Sequence, residues 1–86
     1  MNAIPTDDTT LRATIVETLR RIAPEVSAQS LQHAVPLRDQ VDLDSMDWLN
    51  FLVALAERFK VEIPESDYRR LVTLDEVAAY LAARST

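Results

Sequence analysis

The chain of 86 residues contains no cysteine and no glycine, and its only histidine is His33. Without thiols there is no disulfide framework, no thiolate nucleophile and no zinc site that needs sulfur. One imidazole cannot build a multi-histidine metal site, and a serine triad would have to recruit that single ring. The missing glycines remove the phosphate-cradling loops of nucleotide-binding folds and the material for two-residue hairpins. Long apolar stretches are missing too: no run approaches the roughly 18 residues of a membrane span. The start, Met1-Asn2-Ala3-Ile4-Pro5-Thr6-Asp7-Asp8, lacks the basic and apolar segments of a signal peptide, so the chain reads as cytoplasmic. Basic residues are scarce, nine Lys and Arg against 14 Asp and Glu, giving a net charge of −5. That balance opposes nucleic acid and anionic lipid surfaces and favours basic partners.

What remains is enough for one small domain, in which any large cavity competes directly with the core. The acidity is uneven: residues 41–83 hold nine acids and four bases, residues 1–40 five acids and four bases. Residues 1–8 read as a flexible tail, 9–83 as the folded domain and 84–86 as a second tail. Leu11, Ile15, Leu19 and Ile22 recur at helical spacing until Pro24, with Asp8, Thr9 and Thr10 as candidate caps. Residues 24–43 have no clean period. A connection of about twenty residues is long for so small a domain, and Ser27 to His33 is a candidate helical turn within it.

Residues 45–59 form the strongest helical segment, with Asp44 or Ser45 as cap and no breaker inside. Lys60 to Ile63 read as an extended link, and Pro64 suits the start of a brief helix through Leu71. Thr73-Leu74-Asp75-Glu76 is a capping box ahead of a last helix carrying Val77, Tyr80 and Leu81. The expected fold is therefore all-α: a small four-helix bundle of three main helices and one short one, with a long loop between helices one and two.

On a helical wheel, Trp48, Phe51, Leu52, Leu55 and Phe59 share an arc about 100° wide, as a core stripe should. Met46, Leu49, Val53 and Ala56 occupy a second arc beside it, so apolar surface spans roughly 220° and leaves Asp47, Asn50, Ala54, Glu57 and Arg58 for the rest. Either the long loop and helix one cover both arcs, or the second arc is a partner-docking patch in which a flexible thioether accommodates several partners.

Ser45 stands in the first turn of this helix, where unpaired amides and the positive end of the helix dipole favour an anionic group. By itself a serine there is most often a cap. Its surroundings add to this. The stretch Leu37-Arg38-Asp39-Gln40-Val41-Asp42-Leu43-Asp44-Ser45-Met46-Asp47 resembles the segment around the phosphopantetheine attachment serine of the acyl carrier protein family, which includes polyketide and peptidyl carriers. The likeness continues without a gap through Phe59, Val61-Glu62-Ile63-Pro64 and Thr73-Leu74-Asp75-Glu76-Val77 to Tyr80, about half of the chain.

The resemblance implies a bundle of acyl-carrier type with 4'-phosphopantetheine on Ser45 and Asp44 as the preceding acid of the motif. It implies docking residues at Met46, Asp47, Leu49, Val53 and Glu57, and an acyl cavity formed by Trp48, Leu55, Ile63, Tyr68, Leu71 and Val77. A serine hydroxyl cannot activate an acid, whereas a thiol on a flexible arm gives a reactive thioester, and a separate phosphopantetheinyl transferase brings that arm from coenzyme A. Such a chain is a substrate shuttle and not an enzyme, which agrees with the missing Cys and the single His.

Departures from the family pattern matter. Asp42 stands where the family usually has glycine, which puts the turn geometry in question. Asn50 and Ala56 occupy positions that are commonly acidic, and Arg58 adds a cation, so docking should rest more on apolar contact than on salt bridges. Trp48 and Tyr68 are either core aromatics or residues that reshape the cavity for short, polar or unusual acyl groups. His33 reads as a solvent-facing loop residue; Arg20-Arg21 and Arg69-Arg70 read as solvated helix faces or contacts to an anionic patch on a partner.

The leading reading is a freestanding, monomeric acyl carrier protein working with acyl-loading and acyl-processing enzymes in fatty-acid, polyketide, lipid-modifying or peptide biosynthesis. Behind it stand a carrier-like interaction module without the prosthetic group, in which Ser45 merely caps, and a Ser45-His33-Asp hydrolase, for which no glycine-flanked elbow is present.

Overall fold

Apolar residues recurring every three or four positions build the long helices, and the computed structural model, which describes residues 8–84, shows five helical elements. They are α1 (Asp8–Ile22), α2 (Leu37–Gln40), α3 (Ser45–Phe59), a 3₁₀ helix η1 (Glu65–Arg70) and α4 (Leu74–Arg84). The all-α expectation holds, with one extra turn of helix, α2, inside the long loop. Most of the segment read as an N-terminal tail, residues 1–7, lies outside the described residues, as do 85–86; Asp8 opens α1 and Arg84 closes α4.

In α1, Leu11, Ile15, Val16 and Leu19 are buried, and the helix packs on both α3 and α4. Thr18 is buried among them, its hydroxyl satisfied by donation to the Thr14 carbonyl at 2.8 Å. Pro24, which has no N–H to give, stops the helix two residues after Ile22.

The connection from α1 to α3 is ordered by specific bonds. Ser27 to Leu31 closes a single turn, in which the Ser27 carbonyl accepts from the Ser30 and Leu31 amides at 3.0 and 3.2 Å. The Gln40 side chain then acts as a clamp. Its carbonyl oxygen accepts from the Gln32 amide at 2.7 Å, and its amide donates to the Gln32 and Val35 carbonyls at 2.8 and 2.9 Å. Leu37, fully buried, drives α2 into the core. Among the described residues the only strand-like pairing is an isolated antiparallel bridge between Pro36 and Thr73. There the Leu37 amide donates to the Val72 carbonyl at 2.9 Å. The Asp75 amide donates to the His33 carbonyl at 3.0 Å, and Arg12 reaches the Asp75 carboxylate at 2.6 Å and His33 Nδ1 at 3.0 Å. The loop is thereby fastened to α1 and to the start of α4.

The expected core stripe of α3 is buried as a whole: Trp48, Phe51, Leu52, Leu55 and Phe59. Each of the large side chains contributes about 1.5–3 kcal/mol by leaving water. Trp48 and Phe51 meet as a tilted pair, ring centroids 5.3 Å apart. The capping box forms as the sequence suggests, with the Thr73 hydroxyl accepting from the Glu76 amide at 3.1 Å and the Glu76 carboxylate from the Thr73 amide at 3.0 Å. Asp67 of η1 ties that element to α4 by accepting from the Tyr80 hydroxyl at 2.6 Å. Burial, and then this hydrogen bond to a carboxylate, push the Tyr80 pKa above the ordinary tyrosine value. Arg84 lies over the Tyr80 ring, 3.7 Å from its centroid.

The missing glycine leaves a mark at the end of α3. Lys60 takes the left-handed conformation, φ 55° and ψ 45°, that terminates the helix, and the Val61 amide closes on the Ala56 carbonyl at 3.0 Å. Among the described residues it is the only non-glycine position with positive φ. A side chain with a Cβ is strained there by about 1 kcal/mol. Lys60→Gly should therefore raise stability by about 0.5–1 kcal/mol in urea unfolding, and Lys60→Val, with a branched Cβ, should lower it.

Candidate functional site

The start of α3 is set by Asp44, not by Ser45. Asp44 is extended, with φ −82° and ψ −178°, and its carboxylate accepts from the Asp47 amide at 2.8 Å. Its carbonyl accepts from the Trp48 amide at 3.0 Å. Of the two caps that the sequence left open, the acid takes the role, and Ser45 falls at the first helical position. Ser45 is exposed, and among the described residues no group hydrogen-bonds its hydroxyl. Leu43 before it and Trp48 after it are both buried, so the exposed serine is carried on backbone anchored at two points. The Arg38 guanidinium donates to the Leu43 carbonyl at 3.3 Å on the approach.

Asp42 does not disturb this turn. Since Lys60 alone has positive φ among the described residues, the chain reaches α3 through conformations open to any residue, and no glycine is required.

The second apolar arc is exposed, which decides between the two readings of it. Met46 is 65% exposed, Leu49 38% and Val53 49%, while Ala56 is half-buried. Neither α1 nor the long loop covers these side chains. Glu57 is exposed at the far end of the same helix, and Asp47 is half-buried at its start. Arg58 is drawn toward α1 by an ion pair with Glu17 at 2.5 Å.

The residues expected to form one cavity divide into two groups. Trp48, Tyr68 and Leu71 line a surface cleft of about 210 Å³ together with Arg38, Arg69 and Val72. Leu55 and Val77, at 0% and 1% exposure, belong to the closed core, and Ile63 packs half-buried against that core outside the cleft. Core packing claims Leu55 and Val77 because α3 and α4 turn them inward, while Ile63 follows α3 in the link to η1 and only its inner side meets the core. Arg38 and Arg69 lay outside the sequence reading of the site; periodicity carries no sign that an arginine in α2 and one in η1 meet at a cleft. His33 is exposed, its ring engaged by Arg12 and its carbonyl by the Asp75 amide, and among the described residues it makes no hydrogen bond with Ser45. No cluster of His, Cys, Asp or Glu that could hold a metal occurs among the described residues, and no helix there is long and apolar enough to cross a membrane.

Comparison with known proteins agrees with this geometry. The family model of the phosphopantetheine attachment site matches residues 9–81. The chain is 30% identical over 71 residues to an acyl carrier protein of Campylobacter jejuni, covering 83% of this chain and 86% of that one. It is 32% identical over 73 residues to an acyl carrier protein of Helicobacter hepaticus, covering 85% and 90%. A solution structure from Anaplasma phagocytophilum, assigned as an acyl carrier protein, matches with a TM-score of 0.80 at 25% identity, covering 100% of this chain and 98% of that one.

Fold and site together define a carrier, a protein that holds cargo for partner enzymes and is not itself an enzyme. The chain belongs to the phosphopantetheine-attachment family of acyl carrier proteins, whose cofactor is covalently bound phosphopantetheine. The residues at the start of α3 fit that group: an exposed hydroxyl with no partner among the described residues stands where a helix offers unpaired amides and a positive dipole end to a phosphodiester.

The division of labour between Asp44 and Ser45 is testable by stability alone. Asp44→Ala should cost about 1 kcal/mol in urea unfolding and speed amide exchange at Asp47. Ser45→Ala should stay within about 0.5 kcal/mol of the parent. Equal losses would make the Ser45 hydroxyl a structural cap.

Proposed function

We propose that Ser45 is the attachment residue and that the chain shuttles acyl groups between enzymes of a fatty-acid, polyketide, lipid-modifying or peptide-assembly pathway. One observation carries the reading: the Ser45 hydroxyl is exposed and unengaged while its neighbour Asp44 supplies the cap. Attachment joins Ser45 Oγ to the phosphorus that bears the pantetheine arm in coenzyme A. The bond between the two phosphates breaks, adenosine bisphosphate leaves and the hydroxyl proton passes to a base. Among the described residues no base is hydrogen-bonded to Ser45: the Asp44 carboxylate holds the Asp47 amide and His33 is held by Arg12. The base therefore belongs to a phosphopantetheinyl transferase. Once bound, the group supplies a thiol on a flexible arm, to which acyl groups are joined as thioesters.

The chain's own residues present the hydroxyl and dock the enzymes. Met46, Leu49 and Val53 offer an apolar surface starting one residue from Ser45, with Asp47 and Glu57 at its margin for a basic rim on the partner. The cleft beside Trp48, Tyr68 and Leu71 is the place for cargo.

Incubation with coenzyme A and a broad-specificity transferase should add the mass of one phosphopantetheine to the intact protein and none to Ser45→Ala. Leu49→Glu should load about tenfold more slowly at equal stability, since it puts a charge into the centre of the docking surface. A parent chain left unmodified where a control carrier loads would favour an interaction module without a prosthetic group.

A further inference from the structure

The cleft lined by Trp48 and Tyr68 differs in charge from the rest of this acidic surface. Four other surface clefts each carry at least one acidic side chain: Glu25 and Asp42 in one, and Glu76, Glu17 and Glu57 in the others. This one has two arginines, Arg38 and Arg69, and no acid. The arginines elsewhere on the fold that make ion pairs, Arg12, Arg58, Arg70 and Arg84, do so with Asp75, Glu17 and Asp67. Neither Arg38 nor Arg69 has a carboxylate partner among the described residues, where the only side-chain hydrogen bond of the two is the long one from Arg38 to the Leu43 carbonyl.

The two other polar side chains of the cleft, Tyr68 and Trp48, can each donate a hydrogen bond. Tyr68 is half-buried and its hydroxyl has no hydrogen-bond partner among the described residues. Trp48, which also lines the cleft, is 9% exposed; its indole N–H has no partner among the described residues and is not among the buried unsatisfied groups, so it keeps contact with solvent. Leu71 and Val72 supply apolar wall. A half-enclosed space with two guanidinium groups, two further donors and an apolar side is complementary to a short carbon chain that ends in an anion. Guanidinium and carboxylate match in bidentate geometry, and partial enclosure by Trp48 and Leu71 strengthens the pairing over one in open water.

We propose that this cleft reads the far end of the cargo, and that the cargo is an acyl group ending in a carboxylate. The proposal rests on Ser45 as the attachment point. Trp48 is three residues along α3 from Ser45, a rise of about 4.5 Å, which lies within the sweep of a flexible arm. Two arginines that line one cleft without a carboxylate partner among the described residues, in a chain of net charge −5, are thereby matched when cargo is present.

The test loads Ser45 with three arms of known identity: the bare phosphopantetheine, a six-carbon acyl group ending in methyl, and the same length ending in carboxylate. Because Trp48 is the single tryptophan, its indole N–H gives one unambiguous nitrogen-15 NMR peak, to be followed with the Arg38 and Arg69 side-chain peaks. The carboxylate-ended cargo should move all three peaks and react about threefold more slowly with hydroxylamine than the methyl-ended cargo. Arg38→Gln with Arg69→Gln, both at exposed positions, should erase the difference, and high salt should do the same in the parent chain. Equal behaviour of the two acyl groups would overturn the proposal. So would peak shifts produced by the bare arm, which would give the arginines to its phosphodiester, or a difference that survives both substitutions. A chain that gains no mass at the loading step would instead overturn the attachment reading, and this one with it.

Discussion

The bond from the Asp47 amide to the Asp44 carboxylate is the contact on which the site depends. It fixes where α3 begins, and a helix that begins at Ser45 places every later side chain by rotation alone. Trp48, Phe51, Leu52, Leu55 and Phe59 turn inward; Met46, Leu49 and Val53 turn outward. Had Ser45 been the cap, its hydroxyl would have been occupied by the backbone and unable to serve as a nucleophile. Giving that role to an acid next to it frees the serine while keeping the helix start fixed, at a contribution of about 1 kcal/mol.

The rest of the fold serves to hold that helix start still. Loops of this length are ordinarily loose, but this one is held by the Gln40 clamp, by buried Leu31, Leu37, Val41 and Leu43, and by the Arg12, His33 and Asp75 cluster. The core is shared by α1, α3 and α4, with η1 drawn in through Asp67 and Tyr80. None of this requires glycine. Among the described residues the one left-handed position falls to Lys60, at the opposite end of α3 from Ser45, so its strain is kept away from the site.

Much of this was legible in the residues because it is written in local rules. The bounds of α3, its buried stripe and the capping box of α4 follow from spacing and cap chemistry that need no tertiary information, whereas the choice of Asp44 over Ser45 as cap did not. The turn α2 was not legible, since four residues carry no period and Leu37 becomes helical through burial and its bond to Val72. For the same reason, whether Met46, Leu49 and Val53 were covered could not be read from the wheel, which gives a face but not what packs on it. The cavity was the least legible part. Leu55 and Val77 have the right chemistry for lining a pocket and are taken by the core, whereas Arg38 and Arg69 meet only because α2 and η1 are folded against Trp48.

The central claim is that one hydroxyl, that of Ser45, is the tether. The sequence offers a direct way to locate it, because cleavage after Arg38 and Arg58 releases a peptide, residues 39–58, in which Ser45 is the only Ser, Thr or Tyr. After treatment with coenzyme A and transferase, mass analysis of that digest should find the entire added mass in this one peptide. An adduct in a peptide containing Ser27, Ser30 or Ser66, with residues 39–58 unmodified, would contradict the account.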